Sequence, residues 1–313
     1  MDRLLGLALH PEYFSLVSAG DTQIESIATL ELNRPFDLVF LRDGNWSLQY
    51  YIETLTELLN KIGQHGESVN VVLNYSMVMM KKVPLAMGLE KELVEEQLQW
   101  EAEQMLVSDP NLYSLVHDRL PFSTPNGNPM YLQVLVRKKV VETIKRLVSE
   151  AGLNVSDLDV DCFSMIRTLS SNNTLDPQDL VVVLDLHRDS IGLVFIRKQE
   201  YFLSTRIGIP EPYDEASELV RVVLKDLRRI VFGHGLGKGI EDIQRFFVLD
   251  HIAQRGFISA LSAAAGIEVQ GIHPFQKVTV SSEVSRSAEY EAFPERFTTA
   301  VGAILKRNPS LVG

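Results

Sequence analysis

A chain of 313 residues, 45% hydrophobic and 23% charged, has the composition of a soluble globular protein and is long enough for roughly two domains. Its 41 acidic against 30 basic residues, a formal net charge of −11, argue against a nucleic-acid-binding surface, which needs clustered cations. The single cysteine, Cys162, excludes an internal disulfide and a cysteine zinc cluster, and no apolar run approaches the ~20 residues that a membrane-spanning helix needs.

Cys162 is read as a small buried apolar residue, since nothing near it in sequence would activate a thiolate. The N-terminus has no basic region followed by a long apolar segment, so a reducing, cytoplasmic setting without direct membrane insertion is expected.

In chain order, Leu4–Val17 reads as a buried strand, a polar elbow and a returning strand, and Ile24–Leu32 as a third strand closed by Asn33-Arg34-Pro35. A helix is predicted over about Leu48–Ile62, with Ile52, Leu55, Leu58, Leu59 and Ile62 on one face. Gly63–Ser68 breaks it, and Val69–Leu73 is a short buried strand. Leu89–Met105 predicts a charged amphipathic helix packed through Leu93, Leu98 and Met105. Tyr113–Asp118 and Met130–Arg137 predict two strands joined by the loop Ser123–Pro129, and Lys138–Ala151 a second helix ended by Gly152. This α-β-β-α segment of about 70 residues suits a small subdomain without an independent core. Asp159–Leu169 then resumes the first unit with a strand end and a helix.

The opening pattern recurs at Leu180–Ile196. There an apolar run reaches Asp185, turns through His187-Arg188-Asp189-Ser190 and returns. Leu4–Val17 superposes on Val181–Val194 without a gap, at a constant shift of 177 residues, the distance from His10 to His187. One difference carries chemistry: Ala8 stands where the second copy has Asp185. Glu200–Ile209 predicts the third strand of the second half, Glu215–Phe232 its helix and Arg245–Leu249 the next strand, and Phe293–Lys306 is predicted as the closing helix. Gly233–Gly239, GHGLGKG, invites a phosphate-loop reading, but it follows a helix and its lysine precedes no Ser or Thr. It is therefore read as a flexible helix-to-strand connection. A duplicated unit, inserted into once, suggests two similar halves facing each other across a cleft.

This layout resembles the actin-like ATPase superfamily, and specifically its PilM branch of type IV pilus assembly proteins, similar to FtsA. The resemblance rests on Glu95–Gln104 (EEQLQWEAEQ), Lys138–Glu142 with Ser149–Leu153, Leu227-Arg228-Arg229, Ala265–Val269 with Pro274-Phe275, and Ala300–Ala303. It implies an α/β, actin-like (ribonuclease H-like) duplicated fold, two lobes around a cleft with the α-β-β-α subdomain in the first. The implied domains are residues 1–84 with 156–176 as the first lobe, 85–155 as the inserted FtsA/PilM-type subdomain, and 177–313 as the second lobe. It also implies a cytoplasmic protein, peripheral at the inner membrane, that binds the cytoplasmic tail of a single-pass PilN-like membrane protein within Val69–Asp161. Other pilus or secretion platform components are further expected partners. The chain ends, on this comparison, where PilM proteins end.

In actin-like folds three glycine-rich loops cradle the nucleotide and aspartates position its metal. Here the first loop reads Gly6-Leu7-Ala8-Leu9-His10, the second keeps Asp185 but has His187 at a glycine position, and the third reads Leu249-Asp250-His251-Ile252-Ala253, with Gly256 downstream. Gly6, Asp185, Ser190 and Gly256 are the vestigial nucleotide-site candidates. No cofactor is expected: losing an acid and three glycines removes metal positioning and crowds the phosphates, so ATP with magnesium is not expected to be turned over. The resemblance would bring His10, His187 and His251 together, with Asp185 and Asp250 beside them. Each histidine is read first as filling vacated space. The alternative is a divalent metal or phosphate-like anion, with Asp185 and His187 as the first metal ligands. Rival readings of the whole chain are a nucleotide-binding actin-like ATPase that switches or polymerises, and a small-molecule kinase of the same superfamily.

Overall fold

The computed structural model describes residues 3–38, 48–63, 68–173, 175–187, 189–209, 215–250 and 256–312. The expected third-loop residues His251, Ile252 and Ala253 lie outside them. The chain divides into two compact units, one holding Asp2–Ser18 and Ala28–Asp161, the other Met1, Ala19–Ile27 and Cys162–Gly313.

A first five-stranded sheet is built from β1 (Leu4–Leu9), β2 (Tyr13–Ala19), β3 (Ile24–Glu31), β4 (Ser68–Leu73) and β8 (Asn154–Val160), in the order β3-β2-β1-β4-β8. Helix α1 (Leu48–Ile62) lies between β3 and β4 in sequence and buries Ile52, Leu55, Leu58 and Leu59 on the expected face. Between β4 and β8 the chain forms β5 (Val78–Pro84), α2 (Lys91–Met105), β6 (Tyr113–Ser123), β7 (Pro129–Arg137) and α3 (Lys138–Glu150). The second unit contains α4 (Asp161–Asn172), then β9 (Leu180–Leu186), β10 (Ser190–Arg197), β11 (Glu200–Gly208), α5 (Ala216–Gly233), β12 (Arg245–Asp250), α6 (Phe257–Ala265), β13 (Val269–Gly271), α7 (Ala288–Ala292) and α8 (Thr298–Leu305). Its sheet runs β11-β10-β9-β12-β13, the same order as the first.

The duplication extends beyond the hairpin that announces it. Shifted by 177 residues, β3 falls on β11, and the parallel pairing of Leu5 with Val69 falls on that of Val182 with Phe246. The backbone bond from Leu32 N to Glu12 O, 2.8 Å, is repeated from Ile209 N to Asp189 O, 2.7 Å. Buried on both faces, β1 and β9 are near-continuous apolar runs, as central parallel strands must be. Parallel neighbours need a crossover. In the second sheet α5 lies in the crossover from β9 to β12 and α6 in that from β12 to β13. In the first, α3 buries Val140, Ile144, Leu147 and Val148 in one core with α1, β1 and β4, so it covers the five-stranded sheet even though it follows the inserted strands in sequence.

The inserted sheet has three strands, β5-β7-β6, where two were expected. Val78–Pro84 escaped notice because Lys81, Lys82 and Pro84 dilute its strand signal; it is held by pairing with β7 from Val78 opposite Val136 to Pro84 opposite Met130. Helix α2 packs on this sheet through Leu98, against Val83 and Leu85, and through Ala102. The expected Leu93 stripe is corrected: Leu93 is 45% exposed, because the helix turns Leu98 and Ala102 to the sheet and Leu93 lies about 140° around the helix from Leu98. The closing helix is likewise shorter than expected, since Pro294 sets a turn of 3-10 helix, Pro294–Phe297, before α8 begins. Cys162 is fully buried, as expected.

Two local constraints are specific enough to test. Helix α8 crosses α4 so closely that a Cβ on Gly302 would lie 2.0 Å from the Ser164 carbonyl oxygen, while Arg167 Nη1 donates to Gly302 O (2.6 Å) and Thr168 Oγ1 to Thr298 O (2.7 Å). Gly152, after α3, has φ of 87° with open space around it, so only its backbone needs glycine. We expect Gly302→Ala to cost about 2–4 kcal/mol by overpacking and Gly152→Ala about 1 kcal/mol by strain, measured by urea unfolding.

Tyr51 is packed edge-on to Phe36 (5.1 Å) and donates to Pro35 O (2.9 Å). Burial, reinforced by Tyr50 and Asp37, pushes its phenol up to about 12 from an ordinary 10.0. The neutral phenol therefore contributes stability below pH 10 that is lost as pH rises from there towards about 12. Tyr51→Phe should flatten this alkaline decline in unfolding free energy, whatever it does to stability at neutral pH.

Candidate functional site

Residues that would face a ligand in such a fold sit at the carboxyl ends of the parallel strands, where turns can present side chains and amides. In the first unit that end belongs to β1. Gly6 lies within the strand, buried and opposite Asn70, and Ala8 is buried opposite Val72. His10 follows the strand. Its Nδ1 accepts the Glu12 amide (3.1 Å), and its ring stacks on Tyr13 with centroids 4.1 Å apart.

In the second unit the equivalent strand is β9. Asp185 and His187 are both buried, and His187 Nε2 lies 3.0 Å from Asp185 Oδ2. The turn beyond closes on itself: His187 N donates to Ser190 O (2.9 Å), and Ser190 Oγ to Asp189 Oδ1 (2.8 Å). The kept aspartate thus has one oxygen engaged by the histidine that stands at the expected glycine, and Ser190 serves the turn. Gly256 precedes α6 with φ of 79°, a left-handed conformation that favours glycine for the backbone's sake.

The decoy loop after α5 is laced. Asp242 Oδ2 accepts from Lys238 N (2.5 Å) and Gly239 N (3.3 Å), and a Cβ at Gly237 would lie 2.5 Å from that carboxyl group. Amides that could have cradled a phosphate are taken by the chain's own acid, a role that sequence reasoning missed. Its signal was an acid a few residues beyond glycines.

Between Val69 and Asp161 the structure supplies two surfaces. At the end of β4, Asp161 accepts from Asn74 Nδ2 (2.8 Å) and Tyr75 N (3.0 Å), fixing the exit towards β5. On the inserted sheet, Met80, Val134 and Val116 lie opposite one another across the three strands and so share one face; Val116 is 66% exposed. The neighbouring row of Lys81, Gln133 and His117 is on the other face, where Lys81 reaches Glu101 of α2 (2.7 Å). Of nine large apolar side chains exposed among the described residues, six fall from Met87 to Val116, within the insertion.

Residues 16–204, more than half of the chain, match the family described as "Type IV pilus assembly protein PilM". No curated protein matches the chain in sequence. Among solved structures it is similar to the PilM–PilN type IV pilus biogenesis complex, with 19% identity, 97% of this chain and 98% of that chain covered, and a TM-score of 0.76. It is also similar to a Bacteroides thetaiotaomicron protein with an actin-like ATPase fold, at 12% identity, 87% and 91% coverage and a TM-score of 0.50. These are likenesses of fold, and the fold is actin-like. No helix among the described residues is long and apolar enough to cross a membrane.

A buried hydrogen-bonded pair is costly to break from one side only. We expect His187→Ala to destabilise the protein by about 3 kcal/mol, because it leaves Asp185 buried without this partner, and the double substitution with Asp185→Ala to cost less than the two single losses added. Thermal and urea unfolding of the full cycle measures this.

Proposed function

This chain belongs to the type IV pilus assembly protein PilM family, and on that premise we propose that it is a non-catalytic adaptor that holds the cytoplasmic tail of a PilN-like single-pass membrane protein. It would thereby sit at the inner membrane through that partner and join the assembly platform of a pilus, or of a related secretion system, to cytoplasmic components.

One observation carries the non-catalytic part. Of the two equivalent strand ends in the duplicated fold, one presents the methyl group of Ala8 and the other an aspartate whose Oδ2 is 3.0 Å from His187. Magnesium with a nucleotide needs carboxylates free to order its waters and bare backbone around the phosphates. Neither strand end supplies that, so the residues do not fit the group.

The adaptor part is supported by the structural likeness to a protein solved with PilN and by the surface of the insertion. A row of Met80, Val134 and Val116 suits the alternate side chains of an extended segment, and Lys82 and Asp118, paired to Leu132 on the same face, offer polar partners beside it. The sheet face is a better candidate than its edges, because apolar area supplies most of the affinity of a short peptide.

Calorimetry with the cytoplasmic tail of a PilN-like membrane protein tests the proposal. We expect binding that Met80→Glu or Val116→Glu weakens at least about tenfold, as loss of a central apolar anchor does, and no heat from ATP with magnesium. ATP seated at micromolar affinity would overturn the non-catalytic reading in favour of a nucleotide-driven switch; a tail that does not bind would overturn the adaptor.

A further inference from the structure

Helix α2 is fastened by one side. Only Leu98 and Ala102 are fully buried, flanked by half-buried Val94, Glu101 and Met105. Two polar links fix its rotation: Gln133 Nε2 donates to Leu98 O, and Lys81 Nζ meets Glu101 Oε2. The opposite side is therefore presented in one orientation.

That opposite side is not an ordinary solvated face. At 100° per residue, Leu93 and Trp100 fall within about 20° of each other, two turns or about 10 Å apart along the axis. They are 45% and 58% exposed. Glu96 and Glu103 line one flank at the same seven-residue repeat, and Gln97 and Gln104 line the other. Among the described residues neither Glu92 nor Glu96 has an ion pair, and the Glu103 carboxylate accepts only from exposed Gln99 (3.0 Å). Nothing in the fold uses this tryptophan: the packing seam lies on the far side of the helix.

We propose that this face docks a basic amphipathic helix of a second protein, at a surface separate from the sheet face assigned to the membrane protein's tail. The seven-residue repeat of an apolar anchor between polar flanks is the pattern of one helix lying along another. The uncompensated glutamates on one flank call for Lys or Arg opposite them. A second copy of this chain would bring no cation, because the face carries none, and would set acid against acid or amide. An anionic membrane surface would be repelled by the same glutamates.

The test uses the full chain with Trp46→Phe, which makes Trp100 the sole tryptophan, and a synthetic amphipathic helical peptide with Leu at seven-residue spacing and a flanking row of Lys. We expect saturable binding with Trp100 emission shifting to shorter wavelength, weakened at least about tenfold by Leu93→Ala, and, in the parent chain, by Trp100→Ala read calorimetrically. Glu96→Lys with Glu103→Lys should transfer the preference to a peptide whose Lys row is replaced by Glu. All four positions are exposed, so unchanged melting curves will separate lost docking from lost folding. Equal binding of the Lys and Glu peptides, indifference to Trp100→Ala, or no binding at all would overturn the proposal. Self-association abolished by Trp100→Ala would overturn it too, giving the face to a second copy. The tail peptide should still bind the Trp100→Ala chain, so failure here and failure of the adaptor proposal are told apart.

Discussion

The rest of the structure depends on a parallel pairing made twice: β1 with β4, and β9 with β12, in the same register. A hairpin can close locally, but a parallel partner must be delivered by a crossover, so each pairing commits the chain to a helix before the partner strand and another after it. It also sends both strands out at the same end. Whatever chemistry such a unit performs is decided by the few residues at that exit. Here those residues are Ala8 and His10 in one unit and Asp185 and His187 in the other.

Because the frame is duplicated so closely, differences between its copies stand out as changes of role. Ala8 and Asp185 occupy the same place in their sheets, and only the second is polar; it is then engaged by a histidine two residues later in the same turn. Side chains that bond within the turn hold it without help from a ligand. The crossovers differ more. From β12 to β13 the chain needs only α6, whereas from β4 to β8 it makes a three-stranded sheet and α2 before α3 completes the crossover. The first sheet's core is closed by α3, and between Met77 and Lys138 only Val136 packs against it, so most of that segment is available for contacts other than folding the lobe.

The insertion bears this out in its surface. Its small core of Val83, Leu85 and Leu98 leaves apolar side chains on both sides, one row on the sheet and one pair on the helix. A core this size cannot bury more, and exposed apolar groups on a firmly held element are what association uses.

Much of this was legible in the sequence, because repeats and periodicity are local or self-referential signals. The shift of 177 residues, the apolar runs of β1 and β9, the helix face of α1 and the stop at Gly152 need only neighbouring residues to be read. The changes at Ala8 and His187 were visible in the same way. Tertiary structure decided what depends on distant partners. Val78–Pro84 is a strand because β7 pairs with it; α3 belongs to the first core because β1 and β4 lie beneath it; Leu93 is exposed because α2 turns Leu98 and Ala102, not Leu93, to the inserted sheet. The same holds for Gly302, a residue of the family-like motif Ala300–Ala303. Nothing in the local pattern says why glycine stands there, and the reason is the backbone of Ser164, more than a hundred residues away in the chain and in contact only once the helices have crossed.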